Sequence, residues 1–402
     1  MSRIAIDDRE RERLVPDDDK IRSLASLGMT NYDSFAMHFV KDEFLMPPPH
    51  GGDLARARRL FGGEAGDWID FSNNINPYGL ADSWLDDLLA RLRPRLREYP
   101  DPDYTALRRT LAARHEIDPD ALWPVNGSVA GLYGVAQLHD GRHAVVPAPA
   151  FREYAHACRA ARLTVEEPLC FKPDHESPDW ESIVPLDGVI ILGTPNSPTG
   201  DLPGDEDIAR ILATARDRRS IVVLDEAFLP FTARAGSSRV AEAAHRDDLI
   251  VLRSLTKTHG LPGLRLGYLV SSPPTIARLR AVMPPWGVGP LAEIVTEALP
   301  AIESLISGQL DLIREEALHF HARLRETPRL HVYPSAANFF LCETHVDGPT
   351  AAALKEQLCR RHLLIRVCDD YPGLSTRHFR VAVRRPEENA RLVAALAEVL
   401  AA

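Results

Sequence analysis

The sequence predicts an α/β fold with a mostly parallel central sheet flanked by helices, followed by a smaller α+β domain at the C-terminal end. Three features predict it. Short apolar runs alternate with amphipathic helical segments, the pattern of a sheet wound with helices. Those runs are apolar throughout, as strands covered on both faces are. The unusual polar residues lie just past the runs' carboxyl ends, where open α/β sheets bind their ligands.

Taken in order, residues 1–49 read as a charged extension with a short helical pattern near Ile21–Leu27, ending at Pro47-Pro48-Pro49, a run that cannot continue a helix. Residues 50–80 read as an N-terminal arm, 81–290 as a large ligand-binding domain, and 291–402 as a linking helix and small domain. Amphipathic helices are expected at Ala81–Arg97, with Asp82-Ser83 as caps, and at Tyr104–Arg114. Short buried strands are expected at Ala144–Pro147, Gly188–Leu192, Ile221–Leu224, Leu249–Leu252 and Leu266–Val270. Beyond Pro284-Pro285 a single long helix is expected at Leu291–Glu326. Strands at Asn338–Cys342, Leu364–Val367 and Phe379–Val383 and helices at Thr350–Arg361 and Pro386–Leu400 complete the chain, which has no internal repeat.

Composition narrows the function. With 402 residues, 45% hydrophobic and 26% charged, the chain is an ordinary globular one with ample material for a core. The net charge of -10 argues against nucleic acid as a partner. No apolar run reaches the roughly 18 residues of a membrane span, and the charged N-terminus lacks a signal-peptide core, so a cytoplasmic location is expected. Five cysteines stand without metal-ligand spacing, so neither a disulfide framework nor a metal site is expected. Only five of the 47 basic residues are lysines, which singles out Lys257 in its glycine-containing setting.

Three strand ends carry the chemistry. One leads into Asp225-Glu226-Ala227-Phe228, one into Arg253-Ser254-Leu255-Thr256-Lys257, and one into Thr194-Pro195-Asn196-Ser197-Pro198-Thr199-Gly200. A lysine at a pocket edge can form a Schiff base with an aldehyde, and a buried carboxylate can keep a pyridine nitrogen protonated. Ser254, Thr256 and Arg265 suit a phosphate, as do the backbone N–H groups of Gly127-Ser128 ahead of an expected helix. Together these are the needs of pyridoxal 5'-phosphate (PLP).

The same motifs carry a resemblance. Ser254-x-x-Lys257 with Arg265 downstream, Asp225-Glu-Ala-Phe228 and Pro195-Asn-Ser-Pro-Thr-Gly200 resemble those of fold-type I PLP enzymes of the aspartate aminotransferase superfamily, over roughly residues 50 to 400. Within it the chain most resembles the threonine-phosphate decarboxylases of cobalamin biosynthesis, with the histidinol-phosphate aminotransferases as cousins. The segments His50-Gly51-Gly52, Asp70–Pro77, Glu98-Tyr99-Pro100-Asp101, Pro262–Tyr268 and Phe379–Arg384 carry that closer likeness.

The resemblance implies that Lys257 carries the cofactor as a Schiff base and that Asp225 pairs with its pyridine nitrogen. It implies Asn196 at the ring hydroxyl, Phe151 stacked on the ring with Tyr154 beside it, and Phe228 where aminotransferases usually carry tyrosine. Gly127, Ser128, Ser254 and Arg265 would hold the cofactor phosphate, joined by Tyr99 of the partner subunit in a homodimer with shared active sites. Arg380, with Asn338 near it, would take the substrate carboxylate. His50, Asn74 and Arg366 would take the phosphate of a phosphorylated amino acid, although Arg366 also has Asp369 and Asp370 within reach as ion-pair partners. His259 is either a site contact or a loop histidine. Ser128 stands where the family usually has glutamate, and Thr258-His259-Gly260 replaces an aromatic pair. The expected activity is decarboxylation of an O-phosphorylated amino acid. The rivals are an aminotransferase of the histidinol-phosphate type, an enzyme of specialised metabolism, and a non-catalytic sensing module.

Overall fold

The computed structural model describes residues 51–171 and 178–401. The expected extension, its short helix and His50 lie outside the described residues.

Seven strands form the central sheet: β2 (Leu122–Asn126), β3 (His143–Val145), β4 (Thr164–Glu166), β5 (Val189–Gly193), β6 (Ile221–Asp225), β7 (Leu249–Ser254) and β8 (Leu266–Val270), after a two-residue β1 (Ile69–Asp70) that lies elsewhere. Their spatial order is β2-β8-β7-β6-β5-β3-β4, and only β8 runs against its neighbours. The carboxyl ends of β2, β3, β5, β6 and β7 therefore open on one side. Strands β5 to β7 are apolar because helices cover both sheet faces, and Ile190, Val222, Val223 and Ile250 are fully buried. Strand β2 escapes sequence reasoning because Pro124 interrupts it. A proline costs a ladder hydrogen bond in a central strand but is tolerated on an edge, which is where β2 lies.

A second, antiparallel sheet of four strands has the order β12-β13-β10-β9, with β9 (Leu330–Val332), β10 (Phe339–Thr344), β12 (Arg366–Val367) and β13 (His378–Ala382). Two apolar cores correspond to the two sheets, and the helix Leu299–Arg325 contributes Ile302 and Ile306 to one and Ile313 and Phe320 to the other. The expected strand Leu364–Val367 is divided: β11 (Leu363–Leu364) pairs in parallel with β1, and β12 joins β13. The arm is thus stitched into the small sheet, with Phe71 donating to the Leu364 carbonyl and accepting from Ala382, each at 2.8 Å.

The expected single helix Leu291–Glu326 is two, Pro290–Glu297 and Leu299–Arg325. Pro300 has no N–H to give the preceding turn and its ring crowds the carbonyl four residues back, so the ladder restarts there. No helix among the described residues is long and apolar enough to cross a membrane.

Candidate active site

A cavity of about 480 Å³ opens over the carboxyl ends of the central strands, and residues from three parts of the chain wall it. Asp225, Ser254, Thr256 and Lys257 come from the ends of β6 and β7. Gly127, Ser128, Phe151 and Tyr154 come from the starts of the two helices Gly127–Leu138 and Arg152–Ala160. Arg366, Tyr371 and Arg380 come from the small sheet and its following loop, with Ser72 and Asn74 from the arm.

Asp225 ends a strand buried on both faces, so its carboxylate has left water. Tyr154 donates to its Oδ2 at 2.9 Å and the Ala227 N–H to its Oδ1 at 3.0 Å. Burial raises its pKa above the usual carboxylate range, opposed by those two bonds and by Lys257. Lys257 lies three residues beyond β7, with its Nζ 5.7 Å from the centre of the Phe228 ring. Burial, then Arg380 and Arg265, lower its pKa to about 8, and Asp225 pulls the other way. An amine so depressed can give and take a proton near neutral pH. Its loop is pinned to the arm: Asn76 donates from its N–H to the Lys257 carbonyl at 2.9 Å and from its amide to the Thr258 carbonyl at 2.8 Å.

Beside this pair is an anion cradle. The helix Gly127–Leu138 directs its first N–H groups at the cavity, and Ser254 and Thr256 bring hydroxyls 2.8 Å apart. Arg265 closes the other side so tightly that a Cβ on Gly127, which sits at φ +74, would meet its Nη2 at 2.5 Å. A backbone that close to a guanidinium leaves room for an anion on the N–H side and none for a side chain. Cradle, buried acid and depressed lysine are the three features that PLP requires at its phosphate, pyridine nitrogen and aldehyde, and the residues present fit it. Phe151 and Tyr154 meet edge to face at 5.5 Å on the cavity wall, so Phe151 is placed to cover a ring.

Opposite stands Arg380, buried in the middle of β13. Its Nη1 donates to Ser197 Oγ at 2.6 Å and its Nη2 to the Ser72 carbonyl at 3.0 Å. With its amide turned oxygen-first, Asn74 accepts from Arg380 Nη1 at 3.1 Å and Nε at 3.3 Å. All these hydrogen-bond partners are neutral, and burial lowers the arginine's pKa, opposed in part by Tyr371 and by the carboxylate of Asp70. Arg366 lies directly across from Arg380 in the β12–β13 pair. Its Nη2 bonds both carboxylate oxygens of Asp370, at 2.9 and 2.8 Å, and its guanidinium lies 5.3 Å over the Tyr371 ring.

Two expected site residues, Asn196 and Asn338, do not line this cavity, and Tyr99, expected to serve the partner subunit's site, lies outside the cavity of its own chain. Asn196 does not wall this cavity: its amide donates to the Pro149 carbonyl at 2.8 Å and to Thr199 Oγ1 at 2.9 Å, and it lines a neighbouring cavity of about 220 Å³. Its neighbour Ser197 faces the main cavity instead, where its hydroxyl accepts from Arg380. The turn itself was legible; which of its polar residues faces inward was not. Tyr99 is 83% exposed and packs on Trp286 at 5.0 Å, outside the cavity of its own chain. Asn338 is buried with neither amide atom partnered and does not line the cavity, although its carbonyl accepts from Val383, one residue past β13. His259 is also buried away from the cavity, bonded to Thr258 Oγ1 at 2.9 Å, and burial takes its pKa to about 4. Sequence reasoning did not single out Glu153 and Tyr133, which share a 2.9 Å hydrogen bond on the cavity wall.

A doubly covered sheet whose strand ends bring together these three features defines a PLP-dependent enzyme of fold type I. The chain belongs to the aminotransferase class I and II family, whose model matches residues 66–396. It is 34% identical over 367 residues to the threonine-phosphate decarboxylase of Salmonella typhimurium, covering 87% of this chain and 96% of that protein. It is also 34% identical over 335 residues to a histidinol-phosphate aminotransferase of Ralstonia nicotianae, covering 81% and 87%. The crystal structure of L-threonine-O-3-phosphate decarboxylase from Porphyromonas gingivalis superposes with a TM-score of 0.72 at 28% identity, covering 81% of this chain and 98% of that one.

The depressed lysine has a consequence for the cofactor-free protein. Between about pH 8 and 10.5 the unfolded chain holds a proton at Lys257 that the folded chain has released, so folding stability rises with pH across that window. Below it, the buried charge costs its full penalty. Lys257→Met is therefore expected to stabilise the apoprotein at pH 7 by about 1 to 3 kcal/mol, and the gain should vanish by about pH 10.5, read by urea denaturation at each pH. A gain independent of pH would contradict the assignment.

Proposed function

We propose that this enzyme decarboxylates an O-phosphorylated amino acid, and that Arg380 and Arg366 are its two anion sites. The observation that carries the proposal is their placement as a directly opposed cross-strand pair on the cavity wall. Like charges so placed are destabilising, and a buried cation met only by neutral partners is costly. Asp370 offsets the charge of Arg366, whereas Arg380 has Ser197, Ser72 and Asn74. Asp70 acts on Arg380 only at longer range, and a substrate carboxylate would supply a counter-charge in direct contact. A substrate with a carboxylate and a phosphate together suits two adjacent guanidinium groups, and histidinol phosphate has only the phosphate.

Bound PLP supplies an electron sink for the electron pair left at Cα when a bond there breaks. The protein's own contributions are orientation, charge and proton handling. Asp225, steadied by Tyr154, holds the proton at the pyridine nitrogen. Gly127, Ser128, Ser254 and Arg265 anchor the cofactor phosphate, while Phe151 and Phe228 exclude water from the ring. Arg380 fixes the carboxylate in the geometry from which carbon dioxide leaves, and Lys257, with its depressed pKa, returns a proton to Cα. Arg366 and Asn74 lie toward the substrate phosphate, and His50, two residues before Gly52, is the third candidate there. A homodimer fits the exposed Tyr99–Trp286 pair, with Tyr99 serving the neighbouring subunit's cofactor phosphate. Sedimentation should then give a dimer, and a monomer at micromolar concentration would contradict it.

Equal identity to a histidinol-phosphate aminotransferase favours a second reading, transamination, in which Lys257 moves the Cα proton and Arg380 meets the carboxylate of a second substrate. Incubating the PLP-loaded protein with O-phosphothreonine and O-phosphoserine decides between them. Decarboxylation predicts carbon dioxide and an aminoalkyl phosphate, both lost in Lys257→Ala. Arg380→Lys, which gives up the planar fork, should lower kcat/KM roughly 100-fold, the size of a lost charge-assisted pair. A keto acid product with no carbon dioxide would establish transamination instead.

A further inference from the structure

Three tyrosines wall the reaction cavity, and two of them are spoken for: Tyr133 donates to Glu153 and Tyr154 to Asp225, each at 2.9 Å. Tyr371 is the third, and its hydroxyl has no hydrogen-bond partner among the described residues. The residue is only 4% exposed. Leaving a buried hydroxyl unpaired costs free energy, and on a cavity wall the natural partner is a ligand.

The ring is held firmly. The Arg366 guanidinium lies 5.3 Å over it, while Leu341, Tyr333 and Cys368 pack with it. Arg366 also grips both carboxylate oxygens of Asp370, the residue next to Tyr371, which fixes the start of the loop. Across the strand pair from Arg366 is Arg380, and of the groups that raise the Arg380 pKa, Tyr371 acts most strongly. Burial, reinforced by Cys368 and opposed by Arg380 and Arg366, raises the phenol's own pKa, so at neutral pH it keeps its hydrogen and can donate it.

Arg380 has little left to offer a carboxylate. Its Nη1 gives its two hydrogens to Ser197 and Asn74, its Nε gives its one to Asn74, and its Nη2 gives one to the Ser72 carbonyl, which leaves a single N–H on Nη2. The Phe339 ring, 5.2 Å away, covers one face of the guanidinium. One N–H anchors one carboxylate oxygen and lets the group turn about that bond, whereas loss of carbon dioxide needs the Cα–C bond held at one angle. We propose that the Tyr371 hydroxyl donates to the second oxygen of the substrate carboxylate, so that Tyr371 is a substrate-binding residue sharing this anion with Arg380. The inference rests on the reading of Arg380 given above and adds the donor that sets the carboxylate's orientation. A neutral donor suits a departing carboxylate, because a second cation there would stabilise the charge that has to leave.

The test mixes the PLP-loaded protein rapidly with O-phosphoserine or with 2-aminoethyl phosphate, which lacks the carboxylate, and reads the fast change in cofactor absorbance that precedes turnover. Tyr371→Phe removes only the hydroxyl. It is expected to weaken O-phosphoserine about tenfold, the size of one hydrogen bond to a charged group, and 2-aminoethyl phosphate by less than about twofold. Arg380→Gln is the control and should abolish the preference for O-phosphoserine. No loss in Tyr371→Phe, or equal loss for both ligands as a purely structural role would give, would overturn the inference, and the reading of Arg380 would stand if Arg380→Gln still abolished the preference. Equal binding of the two ligands by the unaltered protein would overturn both.

Discussion

Three charged side chains, Asp225, Lys257 and Arg380, stand around one cavity, the acid and the arginine buried and the lysine partly so, and much of the architecture serves to keep them there. Each would ordinarily be driven to the surface or to neutrality. Asp225 is retained by a tyrosine hydroxyl and a backbone N–H, Lys257 by a loop clamped to the arm, and Arg380 by a hydroxyl, a carbonyl and an amide. Burial lowers the pKa of both cations and raises that of the acid, so all three are poised for partners of opposite charge.

The two sheets divide the task. Parallel strands β6 and β7 place Asp225 and the Lys257 loop side by side at their carboxyl ends. The antiparallel small sheet supplies Arg380 and Arg366 from facing strands. The arm connects them: Asp70 accepts from the Ser72 N–H at 2.8 Å and its hydroxyl at 2.5 Å, and the Ser72 carbonyl in turn accepts from Arg380. Asn76 reaches the Lys257 loop a few residues further on. A short stretch of chain thus sets the distance between the reacting end of the cavity and the anion sites, which is why its polar residues Asp70, Ser72, Asn74 and Asn76 are all buried.

Much of this was legible in the sequence. Uniformly apolar runs ending in Asp225, in Ser254-x-x-Lys257 and in the Thr194–Gly200 turn locate the sheet and its ligand side, because strand burial and strand-end chemistry are local properties. What was not legible depends on direction or on long-range pairing. Sequence cannot say that Ser197 and not Asn196 faces the cavity, since both are polar members of one turn. It cannot show that Arg366 and Arg380 oppose each other, which is a matter of strand register. Strand β2 was hidden by Pro124, and the break before Leu299 by helical periodicity on both sides of Pro300.

The central claim is that Arg380 is a buried cation awaiting a carboxylate. It is tested most directly with the Lys257→Ala protein, which binds without turnover, by comparing its calorimetric affinity for O-phosphothreonine with that for 1-aminopropan-2-yl phosphate, the same molecule without the carboxylate. The account predicts that the carboxylate strengthens binding at least about tenfold, and that Arg380→Gln in the same background erases the difference. Equal affinity for the two ligands, or a difference that survives Arg380→Gln, would contradict it.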